Sequence, residues 1–173
     1  MTNKINLNPE LELLDKLVFK EYGIELTNLE TELESQEYFA CNFKLNAHNV
    51  KFRVAKITPK KTGQFVSIWK RNKNGITEPF TIMDKFEWYI IATRQNLNVG
   101  FFIFPKHVLY ANGILSDATK AGKRGIRVYP TWDQTTNKQA QKTQLWQSKF
   151  FLDLSSFNHF DTKKASALLS LNS

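Results

Sequence analysis

Two apolar runs set the limits on what this chain can fold into. Trp88 to Thr93 reads Trp-Tyr-Ile-Ile-Ala-Thr, and Val99 to Phe104 reads Val-Gly-Phe-Phe-Ile-Phe. Neither alternates polar with apolar residues. A strand that is apolar on both sides has to be covered on both sides, so the runs predict central strands of a sheet with packing layers above and below. Pro105 ends the second run, and Lys106 to Asn112 reads as one or two helical turns stopped at Gly113. With 173 residues, 42% of them hydrophobic, the chain can build one domain around such a sheet.

The flanking segments supply the layers. Asn8-Pro9-Glu10 opens a helix with an N-cap, a proline in the first turn and an acid at the positive end of the dipole. Leu11, Leu14, Val18 and Tyr22 follow at helical spacing, and Gly23 is its stop. Thr27 with Glu30 forms a capping-box pattern, which predicts a second short helix with Leu29 and Leu33 inward. Tyr38 to Leu45 alternates, with Phe39, Cys41, Phe43 and Leu45 on the apolar side. Residues 50–57 and 64–70 read as the two strands of a hairpin, with the turn at Thr58 to Gly63 between them. Gly125 to Tyr129 is a short strand. Thr136 with Gln139 opens a helix to about Phe150, with Ala140, Thr143, Trp146 and Phe150 on one face and Lys138, Lys142 and Lys149 on another. The tail from Asp161 adds a last helix with Ala165, Leu168 and Leu169 inward. The expected fold is a single α/β (α+β) domain over 1–173: an acidic helical part at 1–35, a core at 36–152 and a C-terminal tail or helix at 153–173. A mixed sheet of about five strands, flanked by helices, makes up the core.

Charge is segregated along the chain. Residues 1–37 carry three lysines against nine acids, a net of −6, and residues 38–173 carry 21 basic against 7 acidic residues, a net of +14. No acid occurs from Tyr38 to Thr77. A basic body of this kind points to polyanions, with nucleic acid first among them. The lone cysteine, Cys41, excludes an internal disulfide and a cysteine zinc cluster, and it suits the cytoplasm. The first residues lack the apolar run of a signal peptide, and no run is long enough to span a membrane.

Three clusters carry the positive charge. The hairpin holds Arg53, Lys56, Lys60, Lys61, Lys70 and Arg71, with Trp69 among them. Cations beside an aromatic bind phosphates and stack bases, although an edge strand also carries lysines merely to stay soluble. In Gly122-Lys-Arg-Gly-Ile-Arg-Val-Tyr-Pro-Thr-Trp, two glycines bracket Lys123 and Arg124, which resembles an anion cradle. Arg127 and Tyr129 share a face of the strand, and Trp132 follows. The order of a phosphate-binding P-loop is absent. The third cluster is the helix with Lys142, where a lysine stripe tracks a backbone or is simply the solvated side. Lys106 adds a further cation.

Signals for catalysis are sparser. His48, His107 and His159 lack a carboxylate or cysteine at ligand spacing, and Cys41 falls on an apolar strand face. A metal-dependent nuclease needs two or three carboxylates around the ion and a lysine nearby. The candidates are Asp84 or Glu87 with Lys56 or Lys70.

Five strings resemble the MepB-like proteins of bacteria: residues 52–66, Trp-Lys-Arg at 69–71, Phe-Pro-Lys at 104–106, residues 122–133 and residues 139–147. The resemblance extends over roughly 36–152. It implies a fold similar to the core of type II restriction endonucleases, and through it nucleic-acid binding. Such a core carries an acid at the end of one strand, then acid-any-Lys on the next. With Lys70 as that lysine, Ile68 stands at the acid position; with Lys56, Val54 does. Both departures favour binding without cutting, or the use of carboxylates from elsewhere such as Glu37, Asp84 or Glu87. The expectation is therefore a cytoplasmic protein, away from membranes, that binds nucleic acid, DNA ahead of RNA, and needs no cofactor. The alternative is a Mg²⁺-dependent nuclease or phosphodiesterase.

Overall fold

The structure is a computed structural model that describes residues 7–170. Residues 1–6, on which the expectation about a signal peptide falls, and residues 171–173 lie outside the described part. Helix α1 (Pro9–Leu14) is capped by Asn8, whose Oδ1 accepts from the backbone N–H of Glu10 at 3.0 Å and of Leu11 at 3.4 Å. It runs on through a wide turn, Asp15–Phe19, and a tight turn, Lys20–Tyr22, to Gly23 at φ 66°. That left-handed residue closes the helix as expected.

Eleven strands follow among the described residues: β1 (Leu26–Thr31), β2 (Cys41–Leu45), β3 (His48–Val54), β4 (Lys56–Ile57), β5 (Gln64–Ser67), β6 (Trp69–Arg71), β7 (Thr77–Pro79), β8 (Trp88–Gln95), β9 (Asn98–Pro105), β10 (Gly125–Val128) and β11 (Phe151–Asp153). Helices α2 (Lys106–Ala111), α3 (Lys138–Gln147) and α4 (Thr162–Leu168) complete the chain. The main sheet has six strands, ordered β1-β2-β3-β8-β9-β11, and β3 with β8 is its one parallel pair. A parallel pair needs a long crossover. Here residues 55–87 provide it, and they fold as a second layer. In that layer β10, β5 and β4 form one small sheet, and β6 and β7 form another.

The two apolar runs are β8 and β9, and they are covered on both sides. Trp88, Ile90, Ala92, Val99, Phe101 and Ile103 meet Leu11, Leu14 and Val18 of the first helical segment and Ala165 of α4. Tyr89, Ile91, Phe102 and Phe104 face the second layer, where Val66, Ile68, Leu109, Ile126 and Val128 receive them. The tail helix buries Ala165 and Leu169, as its spacing predicts. Gly100 is required in β9, because a Cβ there would lie 2.2 Å from Cζ of Phe151 on the neighbouring strand.

Three expectations of the local structure are corrected. The helix expected at Thr27 to Leu33 is strand β1, antiparallel to β2, with Leu26 opposite Leu45 and Thr27 opposite Lys44. The register shifts after Thr27, and Asn28 takes φ 54° there. Pairing along an open sheet edge outweighs a four-residue capping signal, and Leu33 ends up 89% exposed rather than inward. Phe39 is also turned out, at φ 51° and 57% exposed, so the strand expected from Tyr38 begins only at Cys41. The hairpin is divided as well: its first arm is β3, in the main sheet, and only β4 pairs with β5.

Arg53, expected on the basic face, is 1% exposed. Its Nη1 donates to Ser67 O (2.6 Å), Ser67 Oγ (3.0 Å) and Ser35 Oγ (3.1 Å), and its Nη2 pairs with Glu32 Oε2 at 2.8 Å. Lys51 Nζ donates to the other Glu32 oxygen at 2.7 Å. Burial pulls the Glu32 carboxyl upward, but Lys51 and Arg53 more than cancel that, so it titrates below its ordinary value. A carboxylate with a lowered pKa contributes stability above its ordinary value, and this is lost as pH falls through the lowered one. In urea denaturation at pH 7, Glu32→Gln should therefore cost about 3 kcal/mol, since it strips a buried cation of its partner. The gap between the two proteins should narrow below the ordinary carboxylate value; a constant gap across pH would refute this role for Glu32.

Candidate functional site

The cations singled out from the sequence divide by what they already hold. Lys56 on β4 and Arg127 on β10 both lie opposite Phe65 of β5, so the three residues cross one face of the small sheet. Lys60 and Lys61 sit on the exposed turn beyond it. Arg127 pins that turn: Nη2 donates to Thr58 Oγ1 at 2.6 Å, and Nη1 donates to Thr62 O at 3.4 Å and Gly63 O at 3.3 Å. The Tyr129 ring lies against the same turn. A Cβ on Gly63, which holds φ 81°, would come within 2.7 Å of it.

At the other end of β10, Lys123 is exposed and Arg124 is tied down. The Arg124 guanidinium donates to Thr77 O at 3.1 and 3.2 Å, which ties β10 to β7, so the expected two-cation cradle has one free cation. Lys70 pairs with Asp84 at 2.6 Å and with Glu78 at 3.6 Å, and Arg71 pairs with Glu34 at 2.7 Å. Lys106 donates to the Asp84 carbonyl. Trp69 is half-buried beside the Arg71 guanidinium, 5.4 Å from its ring centre. Trp132 is a packing residue: its ring meets Phe151 at 5.5 Å, and its indole N–H donates to Gln95 Oε1 at 3.1 Å. Among the described residues, Lys56, Lys60, Lys61, Lys123 and Lys142 are exposed with no carboxylate partner, and Lys85 joins them.

Of the carboxylates considered for catalysis, only Asp84 meets its candidate lysine, Lys70. Asp84 also accepts from Thr81 N at 2.7 Å, closing a turn. Glu87 accepts from Asn49 N at 2.6 Å, and Lys56 lies over the Tyr38 ring instead. No group of three histidine, cysteine or acidic side chains able to hold a metal occurs among the described residues. Burial pushes the Cys41 thiol up to about 12, with the nearby Glu32 charge adding to the shift. A thiol in that state is a packing group rather than a nucleophile.

The structure adds a polar groove that was not singled out from the sequence. On β2 and β3, Asn42 lies opposite Lys51 and Lys44 opposite Asn49, while Glu30 of β1 lies opposite Asn42. Lys51 Nζ reaches Asn42 Oδ1 at 3.0 Å. One cavity of about 370 Å³ contains Asn42, Asn49, Lys51 and Lys85. A second, of about 430 Å³, contains Lys51 and Lys85 together with Glu32, Lys70 and Asp84. The shared lysines make them one groove over strands β1 to β3. The signal was present in the sequence: with Phe43, Val50 and Phe52 inward, period two places Asn42, Lys44, Asn49 and Lys51 on the opposite side.

Comparison with known proteins places these features in a family. The family model described as MepB-like matches residues 32–153. A crystal structure of MepB superposes with a TM-score of 0.74 at 33% sequence identity, covering 85% of this chain and 97% of that one. No curated protein matches significantly. A family match over most of the chain, with a solved relative at this identity and coverage, means that the chain belongs to the MepB-like family.

Proposed function

We propose that this protein binds nucleic acid, DNA ahead of RNA, through its phosphates and without cutting it. One observation carries the reading. Three acids near the basic surface are already engaged, Glu32 by Lys51 and Arg53, Glu34 by Arg71 and Asp84 by Lys70, while Lys56, Lys60, Lys61, Lys85, Lys123 and Lys142 stand exposed without a partner. Uncompensated lysines on a basic body are the footprint of a polyanion site. A cytoplasmic location belongs to the same proposal; among the described residues, no helix is long and apolar enough to cross a membrane.

The restriction-endonuclease-like core is also part of it. The antiparallel run β1-β2-β3, followed by β8 parallel to β3, is a frame that suits such a core. On this frame the lysine of acid-any-Lys is better placed at Lys51 than at Lys56 or Lys70. Asn49-Val50-Lys51 then carries an amide at the acid position, and Asn42 beside Lys51 carries another. Amides bring no negative charge to a hard divalent cation, which supports binding over cleavage.

Fluorescence anisotropy with a labelled duplex, a single strand and RNA tests the proposal. The logarithm of affinity for the duplex should fall with the logarithm of salt with a slope of about −4 to −5, as for five neutralised phosphates. Replacing Lys60 and Lys61 together by alanine should reduce the slope by about 2. Affinity that is indifferent to salt would overturn the proposal.

The contact of Lys70 with Asp84 in an open groove favours a second reading, a metal-dependent phosphodiesterase. Incubation with Mg²⁺ or Mn²⁺ separates the two. The first expects labelled polymer to stay intact, and the second expects cleavage that Asp84→Ala abolishes.

A further inference from the structure

A separate cavity of about 330 Å³ lies between β10 and α3. Two half-buried aromatics, Tyr129 and Trp146, line it, together with Asn112, Asn137, Gln139 and Lys123. Its walls are fixed. The buried Gln147 of α3 accepts from Tyr129 N at 2.9 Å and donates to Arg127 O at 3.0 Å, acting as a strand would on the free edge of β10. Trp146 is held by the Phe104 ring at 5.4 Å. Gln147 has therefore spent both ends of its amide, and Arg127 its guanidinium.

What remains free is a defined set of groups. Asn112 has used its amide N–H on Val108 O and keeps its carbonyl oxygen. Asn137 has used its oxygen to cap α3 at Ala140 N and keeps its N–H₂. Lys123 is exposed and has no acidic partner. The cavity is thus lined by two aromatics, an acceptor, a donor and one cation. Flat rings with hydrogen-bonding edges and an attached phosphate match that set, and the volume sits at the small end of ligand pockets, about 300 Å³ upward.

We propose that this cavity binds a single nucleotide: Tyr129 and Trp146 contact the base, Asn112 and Asn137 read its edge, and Lys123 meets the phosphate. The proposal rests on the phosphate-binding reading and adds base recognition to it. The nucleotide has two possible sources, a free mononucleotide or one residue turned out of a polymer, and the chemistry of the site is the same for both.

Calorimetric titration of the full chain with dAMP, dGMP, dCMP, dTMP and inorganic phosphate is the first arm. At least one mononucleotide should bind about tenfold or more tighter than phosphate, a preference that stacking of the base alone can supply. Thr143→Phe, which fills the cavity from α3, should abolish the preference, and Lys123→Ala should weaken binding about tenfold, as loss of one charge-assisted bond does. Thermal melting checks that Thr143→Phe is folded, and Lys123→Ala, at an exposed position, gives the result a second footing. The second arm is a duplex carrying one 2-aminopurine. A fluorescence change on binding that Thr143→Phe removes assigns the nucleotide to the polymer. Mononucleotide binding without that change assigns it to the free pool. Phosphate binding as tightly as every mononucleotide, or Thr143→Phe leaving both signals intact, overturns the proposal. Polymer binding with neither signal overturns the pocket and spares the phosphate-binding reading; mononucleotide binding without polymer binding does the reverse.

Discussion

Arg53 is a cation out of reach of water, and much of the molecule is arranged to satisfy it. It leaves β3 on the side that faces the second layer, next to the rings of Phe80 and Tyr89 at 5.7 and 5.8 Å. Its donors reach the carbonyl of Ser67 in β5, the hydroxyl of Ser35 and the carboxylate of Glu32. One guanidinium therefore joins the main sheet, the small sheet and the segment between β1 and β2. An ion pair of this kind is weak evidence for net stability, because desolvation offsets much of the attraction. It bears more on geometry: removing Glu32 leaves the buried guanidinium without its counter-ion, so the contact favours the arrangement of layers that keeps them together.

That geometry decides which charges face the solvent. The acidic leader and the basic body look, in one dimension, like two blocks that should simply attract. In the folded chain they meet pairwise. Glu32 goes to Lys51 and Arg53, and Glu34 goes to Arg71. The leader thus neutralises Lys51 in the groove and Arg71 beside it, and leaves Lys85, the turn at Lys60 and Lys61, and the start of β10 at Lys123 bare.

How much of this could be read from the sequence depended on the range of the interaction involved. The doubly covered β8 and β9 were legible because apolar continuity is a local record of burial on both faces. The first helix was legible because Asn8 and Gly23 cap it with their own backbone and side-chain geometry. Strand β1 was not, because its pairing with β2 lies outside its own window and competes with a local capping pattern. Arg53 was not legible either. Period two puts it with Lys51 on the polar side of β3, and nothing in the strand says that the crossover will return to cover the end near Val54 and leave the end near Asn49 open.

The same strand thus holds both outcomes, two residues apart. Lys51 and Arg53 have the same phase, the same counter-ion in Glu32 and neighbouring rungs of one ladder. Arg53 is sealed under β5 and becomes structural. Lys51 keeps 16% of its side-chain surface and lies in the groove, flanked by amides where a nuclease-like core would place acids. Glu32 is shared between them, so an anion approaching Lys51 meets a lysine whose charge is already partly matched. On the proposed reading, phosphate contact falls to the unpaired lysines around the groove and the small sheet. Those lysines would give the proposed site electrostatic reach toward a polymer, and the amides at Asn42 and Asn49 would bring no charge to a metal ion.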